Sequence, residues 1–191
     1  MEFQITPRSK DPAPWAYWDD AFSSEQLDWL QQEAQKANSP GQVGGGHIVD
    51  DIRRSRVDWM SNTPETSWVF EKLAHAVANL NADYFHFDLV GFGEPLQLTN
   101  YDQETHGMYG WHVDFSRGVS RKLSVVLQLS DPSEYEGGEL QLRTRGDEAE
   151  PMLKKRGRII VFPSWALHQV TPVTRGRRQT VVAWISGAPF R

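Results

Sequence analysis

The sequence predicts a mainly β chain, a sandwich or jelly roll of the α+β kind with helices packed on its outside. Three observations predict it. Apolar residues recur at helical spacing in two segments before residue 80, the apolar period changes to two from residue 84 onward, and those later segments are short and punctuated by Gly, Pro and Asp. At 191 residues the chain can bury one sizeable core and is short for two. One domain over residues 1–191 is therefore expected, helical over about 15–80 and strand-built over about 84–187.

The helical part opens on "FSSEQLDWLQQEAQKA". Ser23 can cap a helix with Gln26 three residues on, Phe22 can pack on Leu27 across that cap, and Leu27, Leu30, Ala34 and Ala37 share one face. The glycine-rich "GQVGGGHIVDD" then reads as a loop and "RRSRVDWM" as a short extended piece. In "TPET", Thr63 is placed as an N-cap with Pro64 in the first turn, ahead of a stripe of Val69, Leu73, Ala76, Val77 and Leu80. The strands are expected in "YFHFDL", "EPLQLTNY", "RKLSVVLQLS", "GGELQLRT", "GRIIVFPS" and "RQTVVAWIS", which alternate or run β-branched.

Composition narrows the function classes. Apolar content of 39% and charged content of 24% are those of a globular protein, with eight Trp and nine Phe as bulky core material. There is no apolar run of about 18 residues, and the start "MEFQITPRSKDPAP" has no signal-peptide core, so a cytoplasmic location without membrane contact is expected. The absence of cysteine excludes disulfides, thiolate zinc sites, iron–sulfur clusters and cysteine nucleophiles, so any metal must use His, Asp and Glu. A net charge of −5 argues against a nucleic-acid partner, and "KKRGR" and "RGRR" read as solvated basic turns.

One stretch carries metal chemistry. In "GWHVDFSRG", His112 and Asp114 stand two apart, which in an extended segment puts both on one side. His168 in "FPSWALHQVTPV", 54 residues after Asp114, is the candidate third ligand. Two histidines and one carboxylate leave three positions open, which suits an Fe(II) that must hold a cosubstrate and O2. The same His-x-Asp spacing occurs at His86 and Asp88, where a half-exposed outer strand, with Tyr84, His86 and Asp88 out and Phe85, Phe87 and Leu89 in, is the competing explanation. His47, His75 and His106 read as surface residues of a loop, a helix and a loop.

The ordered set His112, Asp114, His168 and Arg178 resembles the Fe(II)/2-oxoglutarate oxygenases of the prolyl-hydroxylase-like branch. There the pattern runs His-x-Asp, about fifty residues, His, and a basic residue about ten further on. The resemblance covers roughly residues 95–187, includes the "GGEL" segment between the two metal motifs, and extends more weakly to "DIRRSRVDWM", similar to a segment near the family's substrate entrance, which would place Arg53 there. His86 and Asp88 have no such downstream context. The fold implied is the double-stranded β-helix form of the jelly roll.

The resemblance also implies roles. Fe(II) would be held by His112, Asp114 and His168, and 2-oxoglutarate by Arg178 with Tyr101, Gln128 and Thr180. Arg178 can pair bidentately with the distal carboxylate. Oxygen-sensing prolyl hydroxylases have a tyrosine where this chain has Gln128, whose amide can donate instead. Tyr109, Arg121, Trp184 and Arg53 would line the substrate pocket, although a core Trp184, barrel-filling Tyr101 and Tyr109 and an ion-paired Arg121 would explain those four residues equally. Strand alternation puts Arg178, Thr180, Val182 and Trp184 on one face, and Gln97, Thr99 and Tyr101 on another.

The implied activity is hydroxylation of a C–H bond, of a prolyl residue in a peptide or protein, consuming 2-oxoglutarate and O2 and releasing succinate and CO2, with ascorbate as an accessory reductant. Retention of Asp114, where related halogenases have Gly or Ala, points to hydroxylation. The alternative is a hydroxylase of a free amino acid or other small molecule. A nucleic-acid demethylase is disfavoured because Trp184 stands where such enzymes carry a further arginine, and a non-catalytic jelly-roll binding domain has no need of triad and Arg178 together.

Overall fold

The computed structural model describes residues 13–44, 46–115, 120–144 and 146–188. Most of the N-terminal segment read for an export signal lies outside them, as does Gly45 of the glycine-rich loop. In chain order the elements are β1 (Ala16–Trp18), α1 (Ser24–Gln35), β2 (Ser39–Pro40), β3 (Arg53–Arg54), β4 (Arg56–Met60), α2 (Ser67–Leu80), β5 (Leu89–Phe92), β6 (Leu96–Asp102) and β7 (Met108–His112). They continue with β8 (Arg121–Gln128), β9 (Tyr135–Gly137), β10 (Leu140–Arg143), β11 (Glu150–Pro151), β12 (Ile159–Pro163), β13 (Leu167–Val170) and β14 (Val173–Gly187).

The expected capping box forms at α1. Ser23 Oγ accepts from the Gln26 amide at 3.3 Å, and Gln26 Oε1 accepts from the Ser23 amide at 3.0 Å. Leu27, Leu30, Ala34 and Ala37 are buried as the pattern requires. Helix α2 starts later than expected, because Thr66 competes with the backbone for the first turn. Its hydroxyl donates to Ser61 O at 2.7 Å and accepts from Thr63 N at 2.9 Å, leaving Pro64 in a turn ahead of Ser67.

The segment expected as a first strand, "YFHFDL", is not one. Helix α2 runs on into a π-turn at Asn81–Phe85 that stops at His86, whose φ is 58°. Asn81 then clamps Phe87 from both sides, accepting from its amide at 3.0 Å and donating to its carbonyl at 2.9 Å. Phe85 is buried and stacks on Phe87 at a helix end. Their spacing imitates strand alternation, and pairing begins only at Leu89.

Two sheets face each other. The larger runs β1-β12-β8-β14-β6-β4-β2, with β5 and β9 also pairing with β14, and the smaller runs β11-β10-β13-β7-β3. Alternation gives the larger sheet two different faces. Leu123, Val125, Leu127, Ile159, Val161, Val181, Ala183 and Ile185 join Leu30, Leu73 and Leu80 of the helices in one core. Val126, Ile160, Phe162 and Tyr101 on the opposite face join Leu140, Leu142 and Val170 of the smaller sheet in a second. The site lies in this second layer, walled by strands from both sheets.

Candidate active site

His112 closes β7, and His168 sits opposite it on β13 in register. Each ring is oriented by a backbone carbonyl two residues upstream, His112 Nδ1 by Gly110 O at 2.7 Å and His168 Nδ1 by Ala166 O at 2.9 Å. A carbonyl can only accept, so Nδ1 carries the proton and Nε2 is left with a free lone pair. Both Nε2 atoms face Asp114, at 3.7 Å from Oδ1 for His112 and 3.5 Å from Oδ2 for His168. Among the described residues this is the one group of three such side chains whose donor atoms come within 4.8 Å of one another.

Asp114 lies just past the end of β7, so strand alternation alone does not aim it. Other contacts do. Its amide donates to Ser164 O at 2.9 Å, its carbonyl accepts from Arg121 Nη1 at 3.1 Å, and its Oδ2 accepts from the Ser124 hydroxyl at 2.7 Å. Burial would raise its pKa, but the two histidines, the Ser124 hydroxyl and the nearby Trp184 indole outweigh it and hold the carboxylate below its usual range. The Trp184 N–H reaches no partner at full hydrogen-bond geometry, so its effect is that of a nearby dipole. Burial and the adjacent His168 push His112 down to about 4, so its ring is neutral at physiological pH. Two imidazole Nε2 atoms and an ionised carboxylate are the donor set a divalent iron takes, and the residues fit it.

The cavity beside the triad has a volume of about 440 Å³ and is lined by both sheets. Arg178, 2% exposed, enters it from β14, with Tyr101 across the strand pair and its guanidinium 5.4 Å from the Tyr101 ring centre. Its Nη2 donates to Gln128 Oε1 at 3.3 Å, while Nε has no partner; nor has Oγ1 of Thr180, two residues along. Buried donors left unpaired in a protein this well bonded mark a place for an acidic ligand. Gln128 differs from expectation. Its side-chain oxygen accepts from the guanidinium, and it is not among the residues that line the cavity.

"GGEL" has its reason here. Gly137 and Gly138 have φ of 70° and 58°, and a Cβ on Gly138 would lie 3.1 Å from Arg178 Cδ and 3.3 Å from the ring of Tyr135. Only bare backbone fits against that arginine.

The remaining predicted residues gather at the triad's other flank. Tyr109 stacks on His112 with ring centres 3.5 Å apart, and Arg53 lies 4.6 Å from the Tyr109 ring centre. Trp184 packs against Trp59 at 6.1 Å. Arg121 lies over Trp184 at 4.1 Å and is held bidentately by Glu94 at 2.7 and 2.6 Å. It is thus ion-paired and also lines the cavity. Arg53 is not an exposed arm at the entrance, since it is 7% exposed and tied into the wall by three hydrogen bonds. His86 and Asp88 are solvent-exposed and outside the metal cluster, as are His47, His75 and His106.

Sequence reasoning missed Ser124, Ser164, Glu94 and Tyr135. Ser124 had a signal, being a small polar residue with the same strand parity as Val126, which lines the cavity. The others had none, because their partners are remote in sequence.

Residues 96–186 match the 2OG-Fe(II) oxygenase superfamily. A PKHD-type hydroxylase of Nitrosomonas europaea is 38% identical over 170 residues, which are 84% of this chain and 73% of that protein. One from Synechococcus sp. (strain CC9605) is 46% identical over 79 residues, 40% of this chain and 36% of the relative. The matches to this and four further PKHD-type hydroxylases span 35–58% of those relatives' lengths. Among solved structures, a Pseudomonas putida prolyl-4-hydroxylase superposes with a TM-score of 0.74 at 19% identity, covering 91% of this chain and 92% of its own. A Trichoplax adhaerens prolyl hydroxylase, solved with a hypoxia inducible factor peptide fragment, gives 0.75 at 17% identity, covering 91% and 84%. Those two establish the fold as the oxygenase jelly roll. With His112 and His168 on the paired strands β7 and β13, Asp114 just past β7, and the Nitrosomonas relative matched along most of both chains, this protein belongs to the 2OG-Fe(II) oxygenase superfamily.

Proposed function

We propose that this protein is an Fe(II)- and 2-oxoglutarate-dependent dioxygenase that hydroxylates a C–H bond of a prolyl residue in a peptide or protein, releasing succinate and CO2. One observation carries the reading. Two bare imidazole nitrogens face both oxygens of an ionised carboxylate in the same cavity that Arg178 enters with no carboxylate partner among the described residues. When bound, Fe(II) and 2-oxoglutarate together supply the means of activating O2 for insertion into an unactivated C–H bond.

The chain's own residues then position and exclude. His112, Asp114 and His168 hold the ion, with Ser124 and Arg121 fixing Asp114. Arg178 and the Thr180 hydroxyl take the distal carboxylate of the cosubstrate, and Gln128 keeps the guanidinium turned toward it. Val126, Leu140, Phe162, Val170 and Val182 keep that part of the cavity dry, which strengthens each charged contact. The aromatic faces of Tyr109, Trp59 and Trp184 suit a saturated ring with no charge of its own. A peptide substrate is supported by the Trichoplax enzyme, which was solved with one, and by the PKHD-type hydroxylase names of the relatives. We propose a cytoplasmic location, which a chain without cysteine fits; no helix among the described residues is long and apolar enough to cross a membrane.

The test supplies Fe(II), 2-oxoglutarate, ascorbate and O2 with a proline-containing peptide or with free proline, and measures succinate and the oxygenated product by mass spectrometry. Iron-dependent succinate with one oxygen added to the peptide is expected. Oxygenation of free proline with none on any peptide would transfer the reading to the small-molecule alternative.

A further inference from the structure

The charges on the cavity wall pair off with one left over. Glu94 holds Arg121 bidentately. Under the function proposed above, on which this inference rests, the divalent ion and the doubly ionised cosubstrate balance each other, and Asp114 balances Arg178. Arg53 has no such partner. Its Nε donates to Ser55 Oγ at 2.8 Å, its Nη1 to Gln42 O at 3.0 Å and its Nη2 to Gln97 Oε1 at 2.9 Å, all neutral acceptors. Among the described residues no carboxylate forms an ion pair with it. Asp50 and Asp102 border a separate hollow that Arg53 also touches, but Asp50 is exposed and Asp102 is engaged by Arg177.

A guanidinium cannot shed its proton, so a buried one must be met by a counter-charge or its desolvation stays uncompensated. Three of its five N–H groups go to these neutral acceptors, and the one N–H left on each of Nη1 and Nη2, beside the Tyr109 hydroxyl, can donate to a carboxylate. Arg53 lines the cavity and lies over Tyr109, which stacks on the metal ligand His112. We propose that Arg53 binds an anionic group of the substrate, so that the enzyme selects a substrate with a carboxylate close to the reacting carbon.

Arg53 also pins the loop from Gly41, where a Cβ would lie 2.5 Å from its Nε and 2.2 Å from Ser55 Oγ. A pin alone would confer no preference for charge in the ligand, and that difference is measurable. Two matched pairs of probes are used: N-acetylproline against N-acetylprolinamide, and a blocked peptide with aspartate beside proline against its asparagine counterpart. Binding to protein loaded anaerobically with Fe(II) and saturating 2-oxoglutarate is read by calorimetry and by the fluorescence of the cavity tryptophans Trp59 and Trp184. Saturation keeps Arg178 from taking the probe.

In the wild type the anionic member of at least one pair binds tighter by about tenfold or more, equivalent to about 1.4 kcal/mol. The preference disappears in Arg53→Gln and persists, weakened, in Arg53→Lys, which keeps the charge and loses the fork. Equal binding within both pairs in the wild type overturns the proposal, as does a preference that survives Arg53→Gln. If Arg53→Gln does not fold, the wild-type comparison and Arg53→Lys decide. Loss of iron-dependent 2-oxoglutarate binding in the wild type would refute the function reading, whereas intact binding without charge preference refutes only this inference.

Discussion

Replacing Arg178 by methionine should move two observables in opposite directions. Without ligand, Arg178 is a buried cation, 2% exposed, that meets only neutral groups, the Gln128 amide at 3.3 Å and the Tyr135 hydroxyl, among its described hydrogen-bond partners, and whose Nε is unpaired. Methionine has a similar reach and suits the surrounding apolar walls. Exchanging a poorly compensated buried charge for an apolar side chain is typically neutral or stabilising by about 1–4 kcal/mol. Leaving Gln128 without its partner costs about 1 kcal/mol in return, so the metal-free variant should melt at or above the wild-type temperature. Cosubstrate binding goes the other way. A charge-assisted pair lost in a dry site costs about 2–5 kcal/mol, or on the order of 30- to several-thousand-fold in Kd. Calorimetry of 2-oxoglutarate with anaerobic Fe(II)-loaded protein measures the second effect, and thermal unfolding of metal-free protein the first. A variant that unfolds well below wild type while binding 2-oxoglutarate within about threefold of it would show Arg178 to be structural and refute the reasoning.

Ser124→Ala removes the 2.7 Å hydrogen bond to Asp114 Oδ2 and should weaken metal binding by about 10- to 100-fold, read by titration of the metal-free protein; an unchanged titration would mean that the Ser164 and Arg121 contacts suffice to aim Asp114. His86→Ala should leave metal binding intact while His112→Ala abolishes it, and the reverse result would move the site to the exposed His86–Asp88 pair. Asp19 is bound by both arms of Arg158 at 2.9 and 2.8 Å and by Lys155 at 3.0 Å, and these contacts lower its pKa from 3.8 to about 2. A carboxylate whose folded pKa is depressed contributes stability above its unfolded pKa and loses it as pH falls through the folded one. Asp19→Asn should therefore be less stable than wild type near neutrality, with the difference shrinking as pH falls from about 4 toward 2. Denaturant unfolding across that range measures it, and a pH-independent difference would count against the ion pair.

The failures of sequence reading share a cause. "YFHFDL" alternates as a strand would, yet Asn81 holds Phe87 through two backbone contacts and turns the segment into a helix terminus. Arg53 was placed at an entrance by the weaker resemblance of "DIRRSRVDWM", but its hydrogen bond to Gln97 on β6 holds it inside. In each case the deciding partner lies outside the window in which a periodic pattern is read. Local periodicity reports which face a residue prefers, and a single cross-chain polar contact can override it.

The sequence by itself determined whatever follows from period, cap and ordered spacing. The Ser23–Gln26 box needs only residues three apart, and the shared parity of Arg178, Thr180, Val182 and Trp184 follows from pleating alone. The ligand set His112, Asp114 and His168 was legible because its chemistry depends on residue types and their order. Tertiary structure alone decided what depends on distance between remote segments. Pairing of β13 with β7 brings His168 opposite His112. The positions of Ser124 and Ser164 on the adjacent strand β8 and just past β12 aim an Asp114 that lies outside any strand. Glu94 neutralises Arg121, and among the described residues no carboxylate pairs with Arg53. Charge balance in a buried cavity is a sum over side chains from many strands, and it takes a value only when the fold has brought them within a few ångströms of one another.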